Sequence, residues 1–118
     1  MSQQTTLVLF PQTTYDGGGT ANIYSLTSNA QPAAGYYLGN QDLQTINLKT
    51  TDFTGNIVIE ATLSANKLTD EYFEVHRWDD CANANLSLYQ NINGNFVYLR
   101  AKIEDFQYGV VQFVKLSY

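Results

Sequence analysis

The sequence has 118 residues, of which 44% are hydrophobic and 14% aromatic, enough for one domain with a packed core. Only 14% are charged, and the net charge of −5 with a pI near 4.5 argues against a duplex nucleic-acid binder, which normally carries a basic patch. No apolar run approaches the ~18 residues of a membrane span, and the N-terminus lacks the basic and apolar regions of a secretory signal, so we expect neither membrane insertion nor secretion.

Apolar residues alternate with period two along most of the chain, which predicts strands, whereas helical spacing is nearly absent. In the first half we predict strands at Thr5–Phe10, Thr20–Leu26, Tyr36–Leu38, Leu43–Lys49 and Asn56–Leu63. Loops are predicted at Gln12–Gly19, with a flexible Asp16–Gly19 tip, and at Ser28–Ala34. The glycine-rich tip lacks the Lys-Ser/Thr and the helix of a phosphate-binding loop.

In the second half the predicted strands are Glu71–Trp78, Asn85–Gln90, Asn95–Ile103 and Gly109–Ser117. A polar loop is predicted at Asp79–Asn83, and Asn93-Gly94 predicts a hairpin because both residues tolerate positive φ. Eight or nine short strands at this spacing indicate an all-β antiparallel sandwich, with residues 1–118 forming a single domain.

The alternation also predicts which side chains face the core. Ile57, Ile59, Ala61 and Leu63 are predicted to share one face of their strand, and Val97, Leu99, Ala101 and Ile103 are predicted to point inward. The last strand is apolar on both faces, with Val110, Val114 and Leu116 beside Gln112, and with Val111 and Phe113 beside Lys115. Such a strand is either central and covered or part of a partner contact.

Two segments resemble each other: Leu48–Gly55 leads into Ile57–Ile59, and Ala101–Gly109 leads into Val110-Val111. Each contains an Asp-Phe pair followed by a glycine. We interpret each as a hairpin in which the Phe plugs one end of the sandwich and the Gly supplies the turn. Chance combined with common hairpin chemistry is the alternative explanation.

No catalytic or metal-binding constellation is recognisable. His76 is the only histidine and has no Gly-flanked nucleophile near it, so we expect a surface residue. The acidic region around Asp70, Glu71, Asp79 and Asp80 lacks calcium-loop spacing, and we predict no metal, no cofactor and no enzyme activity. Cys81 is the only cysteine, which excludes an internal disulfide and favours folding in a reducing cytoplasm.

The aromatic residues are the most informative for binding, because Tyr and Trp are enriched at interfaces and in sugar-stacking sites, although many also pack in cores. The candidate partner contacts are Tyr36, Tyr37, Tyr98, Tyr108 and Phe113. A sugar site needs a ring beside polar hydrogen-bonding groups, and its candidates are Trp78, Asp79, Asp80 and Asn83.

Residues 35 to 118 carry a recognisable pattern. Its segments are Gly35–Gly39, Gln44-Thr45, Phe53–Leu63, Tyr72–Val75, Asn91–Ala101, Phe106–Val111 and Val114–Tyr118. This pattern resembles small virion structural proteins of tailed bacteriophages, of the marine and cyanobacterial myovirus type. The first thirty residues match less clearly, and the same strands are also similar to discoidin-like and carbohydrate-binding sandwiches.

The resemblance implies a jelly-roll-like sandwich on the outside of a phage particle, made and folded in the host cytoplasm. The expected partners are other virion proteins, either copies of this chain or capsid or tail subunits, present in many copies. The position on the particle stays open between head, neck, tail and baseplate. The alternative function is a carbohydrate-binding or host-receptor-binding module.

Overall fold

The computed structural model describes residues 6–15, 24–33, 43–66, 70–94 and 96–118. It is an all-β, antiparallel structure whose eight strands are hydrogen-bonded into one curled sheet. The strands are β1 Thr6–Phe10, β2 Thr13–Tyr15, β3 Tyr24–Thr27, β4 Gln31–Pro32, β5 Leu43–Thr62, β6 Phe73–Ala84, β7 Ser87–Asn93 and β8 Tyr98–Ser117. Within these ranges, no helix is long and apolar enough to cross a membrane.

Strands β5 and β8 are the two long strands of the sandwich, and each runs through both of its layers. The first half of β5 and the second half of β8 pair with each other and with β7 and β1, and these strands form the front layer. The second half of β5 and the first half of β8 pair with each other and with β6, β3 and β4, and these form the back layer. β2 pairs with β8 beside the bend.

The chain changes layer where backbone geometry leaves the ordinary strand region. Asp52 and Asp105 have φ values of 49° and 53°, and Gly109 has a φ of 106°. The β5–β8 register shifts between Thr51 and Asn56. A methyl group on Gly109 would overlap the backbone carbonyl of Asp52, so the two bends approach too closely for any side chain there.

The core lies between the two layers and is closed at the bend by Phe53 and Phe106. The front layer contributes Leu9, Phe10, Ile46, Leu48, Ile92, Val111, Val114 and Leu116, and the back layer contributes Ala33, Ile57, Ile59, Ala61, Leu99, Ala101 and Ile103. The Tyr118 hydroxyl donates to the Pro32 carbonyl at 3.0 Å and ties the end of β8 to β4.

The predicted sandwich is confirmed, but several local predictions are wrong. The predicted loops Gln12–Gly19 and Ser28–Ala34 contain the short strands β2 and β4. Leu43–Lys49 and Asn56–Leu63 are one continuous strand, as are the two predicted strands of β8, so the Asp-Phe segments are bends between layers and not hairpins. The predicted loop Asp79–Asn83 lies inside β6, which pairs with β5 as far as Ala84.

Asn93-Gly94 does not form a hairpin either. β7 pairs with β5 in the front layer, where Asn93 is opposite Leu43, whereas β8 begins at Tyr98 opposite Thr62 in the back layer. The segment therefore crosses from one layer to the other. The predicted strand at Tyr36–Leu38 lies outside the described residues.

Candidate functional site

The predicted partner contacts lie on different surfaces. Tyr98 is half-buried on the outer side of the back layer, Tyr108 is 51% exposed at the bend, and Phe113 is half-buried on the outer side of the front layer. Tyr36 and Tyr37 lie outside the described residues. The structure therefore does not bring the described members of this set together into one patch.

Trp78 and Asp79, the predicted sugar contacts, point to opposite sides of β6. Trp78 is opposite Ile57, packs against the core and meets the His76 ring edge-on at 4.4 Å between centroids. Asp79 points outward and accepts a hydrogen bond from Arg77 at 2.7 Å. The side chains of Asp80 and Asn83 lie outside the described part of the structure. The structure therefore does not bring Trp78 and Asp79 together on one surface.

The outer side of the back layer is covered by an ion-pair network. The Arg77 guanidinium contacts Glu74 at 2.8 Å, Asp79 at 2.7 Å and Glu104 at 3.1 Å. The hydrogen bond to Asp79, and to a smaller extent the one to Glu74, raises the pKa of Arg77 above its already high usual value.

Two further ion pairs on this surface involve cations of β8. Arg100 pairs with Glu60 at 2.8 Å and Lys102 with Glu104 at 3.4 Å. Val58, opposite both Arg77 and Lys102, is buried beneath these side chains although it faces outward. The cations of this surface are thus already satisfied by carboxylates of the chain itself.

A groove of ≈610 Å³ opens where β5 leads to β6. Leu63 is 66% exposed and Phe73 is 41% exposed. The Phe73 ring meets the Phe96 ring edge-on, with the two centroids 5.9 Å apart. The predicted grouping of Leu63 on one face with Ile57, Ile59 and Ala61 is wrong, because β5 ends one residue earlier at Thr62. The groove is lined by Thr62, Leu63, Ser64, Glu71, Tyr72 and Phe73.

Tyr72 is fixed in the groove by the cation of Arg100, which lies 3.7 Å from the centre of its ring. Burial raises the pKa of the Tyr72 hydroxyl, and the nearby Arg100 charge opposes part of that rise. Arg100 is itself held by Glu60, so the ring is supported by two charged residues from β5 and β8. This contact could not be predicted from sequence, because it joins residues from the β5–β6 connection and from β8.

The outer side of the front layer, which we call the front face, differs from the back. Three of its rows follow the strand register from β7 through β5 to β8, and two of them extend to β1. They are Ser87–Lys49–Phe113, Tyr89–Asn47–Lys115–Val8 and Asn91–Thr45–Ser117–Thr6. Tyr89 is 71% exposed, and the Lys115 ammonium lies 4.4 Å from the centre of the Phe113 ring.

The final strand reaches this face through a bulge. Lys49 is opposite Phe113 and Thr50 opposite Val111, so Gln112 is the extra residue on β8. Val111 therefore joins Val114 and Leu116 in the core, and the predicted grouping of Val110 with those two residues is wrong. The strand is central in the sheet, as one of the two predicted alternatives requires, but only its inner side is covered.

Among the described residues, no group of His, Cys, Asp and Glu side chains could hold a metal ion. His76 is half-buried against the Trp78 ring on β6.

No known family profile and no curated protein matches the sequence. A solved structure is similar: a family 29 carbohydrate-binding module, CBM29_1, from Piromyces equi, with a TM-score of 0.54 and 11% sequence identity. The match covers 98% of this chain and 91% of that one. At this identity the similarity establishes the fold, a β-sandwich of the jelly-roll type.

Proposed function

We propose that this chain is a non-enzymatic structural protein on the outside of a phage virion that docks onto a neighbouring virion protein through the groove between β5 and β6. The observation that carries the proposal is the groove itself, where exposed apolar side chains line a concave surface. Exposed apolar surface of this kind is typical of protein-protein contacts.

The groove has the composition of an interface centre. Leu63 and Phe73 offer apolar area, while Tyr72 offers a ring whose position is fixed by Arg100. Rigid aromatic anchors of this kind carry much of the binding energy in protein interfaces, because little side-chain entropy is lost on binding. Glu71 and Ser64 supply a polar rim.

The assignment to a virion is supported by the sequence pattern of residues 35 to 118, which resembles small phage structural proteins. A small groove gives only a weak single contact. On a particle, many copies held close together raise the effective concentration, so that weak contacts become collectively strong.

The test is to purify particles of the phage that encodes this chain and to quantify the chain by mass spectrometry. We compare the wild type with Leu63→Ser, which removes the most exposed apolar side chain of the groove. The control is Val8→Thr, which changes an exposed apolar residue on β1, away from the groove. We expect the wild type and Val8→Thr on the particles and a loss of about tenfold for Leu63→Ser.

Absence of the wild-type chain from particles would refute the virion assignment. Normal incorporation of Leu63→Ser would refute docking through the groove. The circular dichroism spectra of both variants must match the wild type, so that misfolding does not imitate a docking defect.

A second candidate function is carbohydrate binding. The fold similarity to a carbohydrate-binding module favours it, together with the exposed Tyr89 ring among amide and hydroxyl side chains on the front face. A planar ring beside polar groups is the arrangement that sugar binding requires.

A further inference from the structure

We infer that the front face binds an anionic polysaccharide, with Tyr89 stacking on a sugar ring and Lys49 and Lys115 contacting its acidic groups. The inference rests on the second candidate function and names its site and ligand class.

The first observation is the distribution of charge. The strand residues whose register places them on the front face include two lysines and no carboxylate, although the protein as a whole has a net charge of −5. Among the described residues, the ion pairs that the structure forms involve Arg77, Arg100 and Lys102, and not Lys49 or Lys115. The front face is therefore a locally cationic surface on an acidic protein.

The second observation is the geometry of the two lysines. Lys49 lies on β5 opposite Phe113, and Lys115 lies on β8 two residues further along, opposite Asn47. Diagonal neighbours of this kind are separated by ~7–8 Å, close enough for both flexible side chains to reach one acidic group or two adjacent ones. The contact of the Lys115 ammonium with the Phe113 ring keeps that cation on the face.

The third observation is the relation of the ring to the charges. Tyr89 shares a row with Asn47 and Lys115, so ring, amide and ammonium follow one another across three adjacent strands. Neighbouring strands are ~4.8 Å apart, so the Cα atoms of Tyr89 and Lys115, two strands apart, are separated by ~10 Å. The β7–β5 register runs without a shift from Leu43 to Lys49, so this row lies in a regularly paired part of the sheet.

The front face suits a polysaccharide better than a protein partner. Its exposed apolar residues are separated: Val8 lies at one edge and Tyr89 at the other, with polar Asn47 and Lys115 between them. Leu43 lies apart from both, at the start of β5 beyond Thr45. A protein interface normally has a contiguous apolar centre. Hydroxyl and amide groups fill the adjoining row, where the Thr45 hydroxyl donates to the Asn91 amide oxygen at 2.8 Å.

The test uses isothermal titration calorimetry with two matched polymers, polygalacturonate and its methyl ester, which differ in charge but not in sugar backbone. The double variant Lys49→Gln/Lys115→Gln removes both front-face cations. Lys102→Gln is the charge control, since it removes a lysine from the back layer. Tyr89→Ala tests stacking, with Tyr108→Ala as the control for loss of an exposed tyrosine elsewhere.

We expect the wild type, Lys102→Gln and Tyr108→Ala to bind polygalacturonate. The double lysine variant and Tyr89→Ala should each bind about tenfold more weakly, and binding should weaken as salt is added. The methyl ester should bind at least about tenfold more weakly than the acid.

Equal binding of both polymers, unaffected by the double lysine variant, would overturn the anionic ligand class while supporting carbohydrate binding. Absence of binding to either polymer would overturn both, and would leave docking through the groove to be judged by its own particle experiment.

Discussion

The rings of Phe53 and Phe106 meet at the bend of the sandwich with their centroids 5.2 Å apart and their planes inclined at 59°. Both rings are fully buried, and each follows directly on an aspartate with positive φ. The two strands that traverse both layers are thus locked together by equivalent residues at the point where each changes layer. A tilted aromatic pair of this kind adds stabilisation beyond the area that it buries.

The first prediction concerns this pair. Phe53→Ala and Phe106→Ala should each lower the free energy of unfolding by about 3–5 kcal/mol, because each leaves a cavity between the layers. The loss of unfolding free energy in the double variant should be about 1 kcal/mol smaller than the sum of the two single losses. Each single variant already removes the contact between the two rings, so the sum counts that contact twice. Guanidinium denaturation measures all three. A loss below about 1 kcal/mol for either single variant would contradict this role.

The sequence was sufficient to predict the β5 and β8 side chains in the core of the back layer, except at the strand ends, where Leu63 is exposed and Val97 only half-buried. Ile57, Ile59 and Ala61 are fully buried as the alternation predicts, and so are Leu99, Ala101 and Ile103. Period-two patterning specifies a face wherever the strand is regular.

The connectivity could not be predicted in the same way. The residues from Asp52 to Gly55 suit a hairpin turn and a bend onto a second layer equally well. Only the pairing of β5 with β8 on both sides of the bend distinguishes the two structures. Likewise, the front face depends on which strands lie side by side, because Tyr89, Asn47 and Lys115 are far apart in sequence. Alternation alone carries no information about strand order.

The second prediction concerns Gly109. Gly109→Ala should destabilise the protein by at least about 2 kcal/mol, since alanine would have to adopt a φ of 106° against the carbonyl of Asp52. Asp105→Gly is the control: its φ of 53° suits glycine, so the change should stay within about 1 kcal/mol. Thermal unfolding followed by circular dichroism would show the difference. Similar melting temperatures for Gly109→Ala and the wild type would contradict the close approach of the two bends.

The third prediction concerns Gln44, a polar side chain that is only 1% exposed. Its amide nitrogen donates to the Ile92 carbonyl at 2.9 Å and to the Gly94 carbonyl at 3.3 Å, which anchors β7 where the chain leaves the front layer. Gln44→Leu removes both donors and should cost about 1–3 kcal/mol. Hydrogen exchange should accelerate most in β7.

The matched control for Gln44 is Gln90→Leu on β7. The Gln90 amide donates to the carbonyl of the adjacent Asn91 at 3.1 Å, a local contact whose loss should cost less than about 0.5 kcal/mol. Equal effects of the two changes would show that the buried amide does not anchor the strand.

The fourth prediction is a pH dependence set by Tyr72. Burial is the largest influence on this hydroxyl and raises its pKa in the folded protein, despite the opposing charge of Arg100. The folded state therefore holds the phenolic proton more tightly than the unfolded chain, whose tyrosines titrate near pH ~10. The resulting stabilisation is fully present below that pH and is lost as the pH rises through the folded pKa.

Tyr72→Phe keeps the ring against Arg100 but removes the titrating proton. The free energy of unfolding should therefore fall more steeply with pH in the wild type than in Tyr72→Phe, between about pH 9 and 11. Urea denaturation at a series of pH values gives both curves. If the wild-type and Tyr72→Phe curves of unfolding free energy against pH remain parallel across that range, folding does not raise the pKa of the Tyr72 hydroxyl. The ring would then lie in a more solvated position than the contact with Arg100 requires.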